Sequence, residues 1–193
     1  YGLDGKAMKT LRRGPEIRIM ISRIPSRLGP RSATMMGILA YSVEKRVLQP
    51  LHPVWGRKLG FRPEWAVANE CASAGELADL IIASSCTPPF TPIQAWKGAP
   101  ALDGGFVDNI PVQALPEKPG PALVLLTRRY HERSIPEWGK RVYIQPSTEV
   151  PVSKWDYTNP DGLQAAYDLG RRDAEDFIRR YRGRVAGSER HQR

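Results

Sequence analysis

Ala101-Leu102-Asp103-Gly104-Gly105-Phe106-Val107-Asp108-Asn109-Ile110-Pro111 sets one carboxylate ahead of two glycines, between an apolar approach and a proline. Backbone without a Cβ can reach φ > 0 and pass close to a ligand, so an acid mounted this way stands at the rim of a turn. Taken alone, Asp-Gly also reads as a plain surface turn between two strands. The flanking residues add to this. Ile93-Gln94-Ala95-Trp96 and Ala99-Pro100-Ala101-Leu102 enclose a turn at Lys97-Gly98, which predicts a hairpin whose second arm delivers Asp103 at its end. Pro100 lacks a ladder N–H and restricts that arm to an edge or an irregular segment.

Upstream, Cys71-Ala72-Ser73-Ala74-Gly75 is one substitution from Gly-x-Ser-x-Gly, the turn that exposes a nucleophilic serine. A simpler reading is a helix start. Ser73 stands three residues before Glu76, the spacing of a capping box, and Leu77, Leu80 and Ile81 follow at helical intervals. Thr87-Pro88-Pro89 then stops the helix.

In order, Ala83-Ser84-Ser85-Cys86-Thr87-Pro88-Pro89-Phe90-Thr91-Pro92, Asp103-Gly104-Gly105 and Asn109-Ile110-Pro111 resemble the C-terminal half of the patatin-like phospholipases, acyl hydrolases with a Ser-Asp dyad. The layout is similar from about residue 17 to 180, and residues 76 to 112 match position by position. The resemblance implies a three-layer α/β/α domain with a central, mainly parallel sheet, of which this chain is the C-terminal part. It implies carboxylic ester hydrolysis in lipids through an acyl-enzyme. Asp103 would be the general base, Gly104 and Gly105 would shape its loop, and Asn109 would hold that loop by bonding nearby backbone. Asp108 lies outside the family's catalytic position and is expected to bond backbone or solvent. Family members also carry a glycine-rich oxyanion loop and a Gly-x-Ser-x-Gly elbow, and neither stands in this sequence. The serine and the oxyanion hole are therefore expected on a missing or separate segment, a companion chain among the alternatives. No cofactor or metal is implied. The competing reading is a non-catalytic lipid-surface or partner-binding module of the same fold.

Composition sets wider bounds. At 193 residues, 41% hydrophobic and 25% charged, the chain can form a domain with a sizeable core. A net charge of +9 suits an anionic membrane surface, nucleic acid or an acidic partner. The basic residues are dispersed through Arg12-Arg13, Lys45-Arg46, Arg57-Lys58, Arg128-Arg129 and Arg171-Arg172, which argues for a solvated surface and against a nucleic-acid groove. Cys71 and Cys86 make neither a disulfide framework nor a zinc site. His52, His131 and His191 have no local partner motif and read as surface residues. With no N-terminal signal and no run of about 18 apolar residues, the expected location is cytoplasmic or peripheral to a membrane.

The rest of the chain divides into a connector over 1–16, a domain over 17–182 and a disordered basic tail over 183–193. Asp4-Gly5 reads as a turn. Ile17 to Ser22 predicts a strand, and Ser32 to Leu48 predicts a core helix, with an interfacial helix as the alternative; Trp55, Arg57, Lys58 and Phe61 would extend such a surface. Pro50, Pro53 and Pro63 point to a loop wrapping around the domain. Ala122 to Thr127 fits a strand buried on both faces, with Val142-Tyr143-Ile144 a shorter candidate. Asn159 caps the last predicted helix, Pro160 takes its first position, and Leu163, Ala166, Tyr167, Gly170, Ala174, Phe177, Ile178 and Tyr181 form its apolar stripe.

Overall fold

The computed structural model describes residues 4–25, 55–88, 90–115, 120–136, 140–153, 156 and 158–190, with residues 29 and 32 singly; beyond residue 181 it describes backbone alone. The chain divides into two compact units, Tyr1–Glu117 and Lys118–Arg193. The predicted helix from Ser32 to Leu48 lies almost wholly outside the described residues, as do His52 and His191.

The first unit opens on a helix where a connector was expected. Asp4 is its N-cap, with Oδ1 accepting from the Ala7 N–H at 2.7 Å, and α1 runs Gly5–Arg13. Its apolar contribution is small, Met8 and Leu11, and Gly2, Gly5, Gly14 and Pro15 among basic residues gave the segment the look of a linker. Strand β1 (Arg18–Arg23) follows and becomes the interior of a four-stranded sheet in the order β2-β1-β4-β3, with β2 Arg62–Val67, β3 Gln94–Trp96 and β4 Ala99–Asp103. Between β1 and β2 lies the short helix α2 (Trp55–Lys58), and between β2 and β3 lies α3 (Ala74–Ser84).

Every pairing in this sheet is antiparallel. The α/β class stands as expected, but among the described residues parallel pairing is confined to the second unit. A two-residue loop joins β3 to β4, and such a hairpin admits no other direction. Its central residues, Lys97 (φ 50°) and Gly98 (φ 76°), both lie in the left-handed region, the signature of the tight turn that matches strand twist.

Prolines account for two differences from expectation. Pro63, placed in the predicted loop, sits inside β2, while Pro50 and Pro53 lie outside the described residues; β2 is an edge, where a missing N–H need leave no ladder unpaired. Pro100 sits in β4, an interior strand. It pairs with Ala95, while β1 pairs only with Ala101, Leu102 and Asp103, so the proline lies beyond the β1 ladder.

One core cluster gathers Met8, Ile21, Leu77, Leu80, Trp96 and Ala101 where α1 and α3 meet the sheet. A second gathers Phe61, Cys86, Leu102, Phe106 and Val107. Phe61 is thus core, not part of an interfacial surface. Arg23 of β1 ties all four strands together: it grips Glu64 of β2 with Nε–Oε2 at 2.6 Å and Nη2–Oε1 at 2.8 Å, and donates to the Trp96 carbonyl of β3 and the Ala99 carbonyl of β4. These bonds, and then the Arg23 charge, hold the Glu64 carboxyl below its ordinary 4.5.

In the second unit β5 (Ala122–Leu125) pairs in parallel with β6 (Arg141–Ile144). Val124 and Tyr143 are buried, whereas Leu123 and Leu125 are exposed, so β5 is covered on one face and not on both. The last helix, α4, runs Pro160–Arg190, through most of the segment expected to be a disordered tail, and continues past Gly183 and Gly187. Asn159 caps it, Oδ1 accepting from the Gly162 N–H at 2.8 Å. Among the described residues Leu169 is its buried apolar side chain, with Ala166, Asp173 and Phe177 half-buried, while Leu163, Tyr167, Ile178 and Tyr181 of the expected stripe are exposed. Among the described residues no helix is long and apolar enough to cross a membrane.

Candidate functional site

Side chains alternate along a strand, so Ala101 and Asp103 share the α3 face of β4 while Leu102 points into the second core cluster. Asp103 is the last residue of β4 and half-exposed, while Leu102, Phe106 and Val107 are buried in the second core cluster. Its backbone N–H donates to the Cys86 carbonyl at 2.8 Å, which hangs it from the segment that leaves α3. Oδ1 accepts from the Gly105 N–H at 2.7 Å, and Oδ2 lies 3.4 Å from the Thr87 hydroxyl. Two donors therefore orient one carboxylate at the end of an interior strand. A carboxylate so held can accept a proton without first reorganising.

Gly104 to Phe106 form a 3-10 turn capped by Asp103. Neither glycine has φ > 0; among the described residues the left-handed glycines are Gly60 and Gly98. The need for glycine here is one of space. A Cβ on Gly104 would lie 2.6 Å from the Met20 carbonyl oxygen, and one on Gly105 would lie 3.1 Å from Asp103 Oδ1. The Gly104 carbonyl accepts from the Val107 and Asp108 N–H groups at 3.0 and 3.1 Å and from the Ser22 hydroxyl at 3.3 Å.

Asn109, expected to tie the loop by bonding backbone, makes no such bond among the described residues. Its neighbour does. Asp108 is 3% exposed, and its Oδ1 accepts from the Ile110 N–H at 3.0 Å. Asp108 Oδ2 also faces Arg57 Nη2 at 3.7 Å, and that nitrogen donates to Gln113 Oε1 at 2.8 Å. Thr87 and Arg57 were not legible as site residues, because their contacts cross 16 and 51 positions of sequence and carry no local spacing signal.

Ser73 is a helix cap. Its Oγ accepts from the Glu76 N–H at 3.1 Å, and Glu76 Oε2 accepts from the Ala72 N–H at 2.6 Å. It starts the 11-residue α3, whereas Asp103 is bonded to the segment after its end, a separation of about 16 Å along the helix. Ser22 is nearer but wholly buried, with its hydroxyl spent on Gly104. Cys71 and Cys86 are both buried and free. Among the described residues no cluster of His, Cys, Asp or Glu could hold a metal ion.

A model of the patatin-like phospholipase family matches residues 3–116, more than half the chain and nearly all of the first unit. No curated protein and no solved structure matches. The match starts earlier than the similarity read from the sequence and ends before the second unit. With Asp103-Gly104-Gly105 inside it, the chain belongs to the patatin-like phospholipase family, a family of lipid acyl hydrolases.

Proposed function

We propose that this chain supplies the general base of a lipid acyl hydrolase working through a Ser-Asp dyad, with Asp103 as the base. The observation that carries this reading is the held carboxylate: Asp103 Oδ1 on the Gly105 amide and Oδ2 beside the Thr87 hydroxyl. In the reaction the Asp103 carboxylate takes the proton of a serine hydroxyl as the serine oxygen attacks the ester carbonyl, then passes that proton to the departing alcohol. Water repeats the sequence on the acyl-enzyme.

This reading takes the nucleophile from a segment outside these 193 residues, since the sequence holds no Gly-x-Ser-x-Gly and, among the described residues, Ser73 and Ser22 are engaged in structural bonds. In the assembled enzyme, Asp103→Asn is expected to lower p-nitrophenyl ester turnover roughly 10²- to 10⁴-fold while the fold is kept, since an asparagine oxygen still accepts from Gly105. Fluorophosphonate labelling locates the serine. Label on a companion segment supports the reading, label on Ser73 overturns the assignment of the nucleophile, and full turnover by Asp103→Asn overturns the base. Liposome binding without hydrolysis in any assembly would turn the chain into a lipid-surface module.

A further inference from the structure

The loop that carries Asp103 is held at two ends by different means. Its first end hangs from Cys86 and Thr87. At its far end a nearly buried carboxylate, Asp108, faces Arg57 from α2, 51 positions earlier. A buried charge is expensive without compensation, so this pairing needs a reason beyond filling space. The separation of 3.7 Å is an ionic contact and too long for a direct hydrogen bond, while the bond to Gln113 keeps the guanidinium in place. Helix α2 reinforces the arrangement. Gly56 is buried and lies so close to the Phe106 carbonyl that a Cβ would overlap its oxygen, and the Phe61 and Phe106 rings stack at 6.4 Å.

Asp108 is coupled to the acid through few atoms. Its backbone N–H donates to the Gly104 carbonyl, and Gly104 is joined by one peptide bond to Gly105, whose N–H holds Asp103 Oδ1. A shift of Asp108 therefore displaces the peptide that orients the carboxylate.

We propose that Arg57 and Asp108 are positioning residues that clamp the Asp103 turn and set the direction of its carboxylate. The inference rests on the reading of Asp103 as the base. It is tested in the full 193-residue chain by NMR hydrogen exchange of the Gly105 amide, the donor to Asp103. With Arg57→Met and with Asp108→Asn, exchange at Gly105 rises about tenfold, while Ile21 in β1 changes less than about twofold. Arg57→Lys keeps a charge within reach and restores most of the protection. In the assembled enzyme the same variants lower kcat and leave KM unchanged, and Arg57→Lys recovers activity.

Gly105 exchange unchanged in Arg57→Met would overturn the clamp. So would equal acceleration at Gly105 and Ile21, which marks a loss of global stability, and so would Arg57→Lys behaving like Arg57→Met. If Arg57→Met does not fold, the comparison of Arg57→Lys with Asp108→Asn carries the same decision. Exchange reads the clamp without catalysis, whereas Asp103→Asn turnover reads the base without the clamp, so the two fail separately.

Discussion

The two glycines after Asp103 should respond to a methyl group in opposite ways. In Gly104→Ala the new Cβ meets the Met20 carbonyl oxygen at 2.6 Å, about 0.8 Å inside ordinary contact. Met20 cannot yield easily. Its strand is paired with β2 from Arg18 to Arg23 and with β4 from Ile21 onward. Overpacking against such a neighbour costs about 3 kcal/mol, the upper end for inserted methyl groups, and the lower entropy of an unfolded alanine returns roughly 0.5–1 kcal/mol. The expected net loss is about 2 kcal/mol. In Gly105→Ala the Cβ meets Asp103 Oδ1 at 3.1 Å and Asn109 Oδ1 at 3.4 Å, both ends of side chains that can rotate. Stability should stay within about 1 kcal/mol of wild type, while a carboxylate displaced by a few tenths of an ångström lowers turnover in the assembled enzyme by up to roughly tenfold. Urea unfolding followed by tryptophan fluorescence separates the two. With Trp138 and Trp155 replaced by Phe, the remaining reporters Trp55, Trp65 and Trp96 all belong to the first unit. Gly104→Ala within 0.5 kcal/mol of wild type, or less destabilising than Gly105→Ala, would refute the steric argument.

Two further outcomes follow from local bonds. Ser73→Ala removes the acceptor for the Glu76 N–H and should cost about 1 kcal/mol in urea unfolding, with fluorophosphonate labelling of the assembled enzyme unchanged. Glu64 has its carboxyl held below 4.5 by Arg23, so its contribution is present above that pH and is lost as pH falls through the lower folded value. Glu64→Gln should therefore flatten part of the acid limb of a urea-midpoint profile taken from pH 6 to pH 3; an unchanged slope would remove Arg23–Glu64 from the acid response.

What the sequence disclosed was local. The hairpin could be read because Lys97-Gly98 is a turn of characteristic chemistry, and the cap of α4 because Asn159-Pro160 is a start signal that acts within one turn. Strand β2 was hidden because Pro63 and two charged residues obscure an edge strand that only its partner β1 defines. Helix α1 was hidden because Asp4-Gly5 reads as a turn when the packing of Met8 is unknown. The glycines of the Asp103 turn were expected to relieve φ and instead relieve crowding against Met20 and the carboxylate itself. Side chains that approach Asp103 and Asp108 from Thr87 and Arg57 depend on tertiary geometry, and no spacing rule points to them.

The hairpin turn at Lys97-Gly98 also acts as a ruler for the chemistry. Asp103 lies five positions past Gly98, and its face of the sheet is decided by parity: odd-numbered β4 residues look toward α3 and Leu102 looks the other way. A turn one residue longer, with β3 and β1 kept in place, would exchange the two sets, drive the carboxylate into the Phe61–Phe106 cluster and bring Leu102 to the rim. The orientation of the acid is thus written into a loop length, remote from the carboxylate and indifferent to its chemistry.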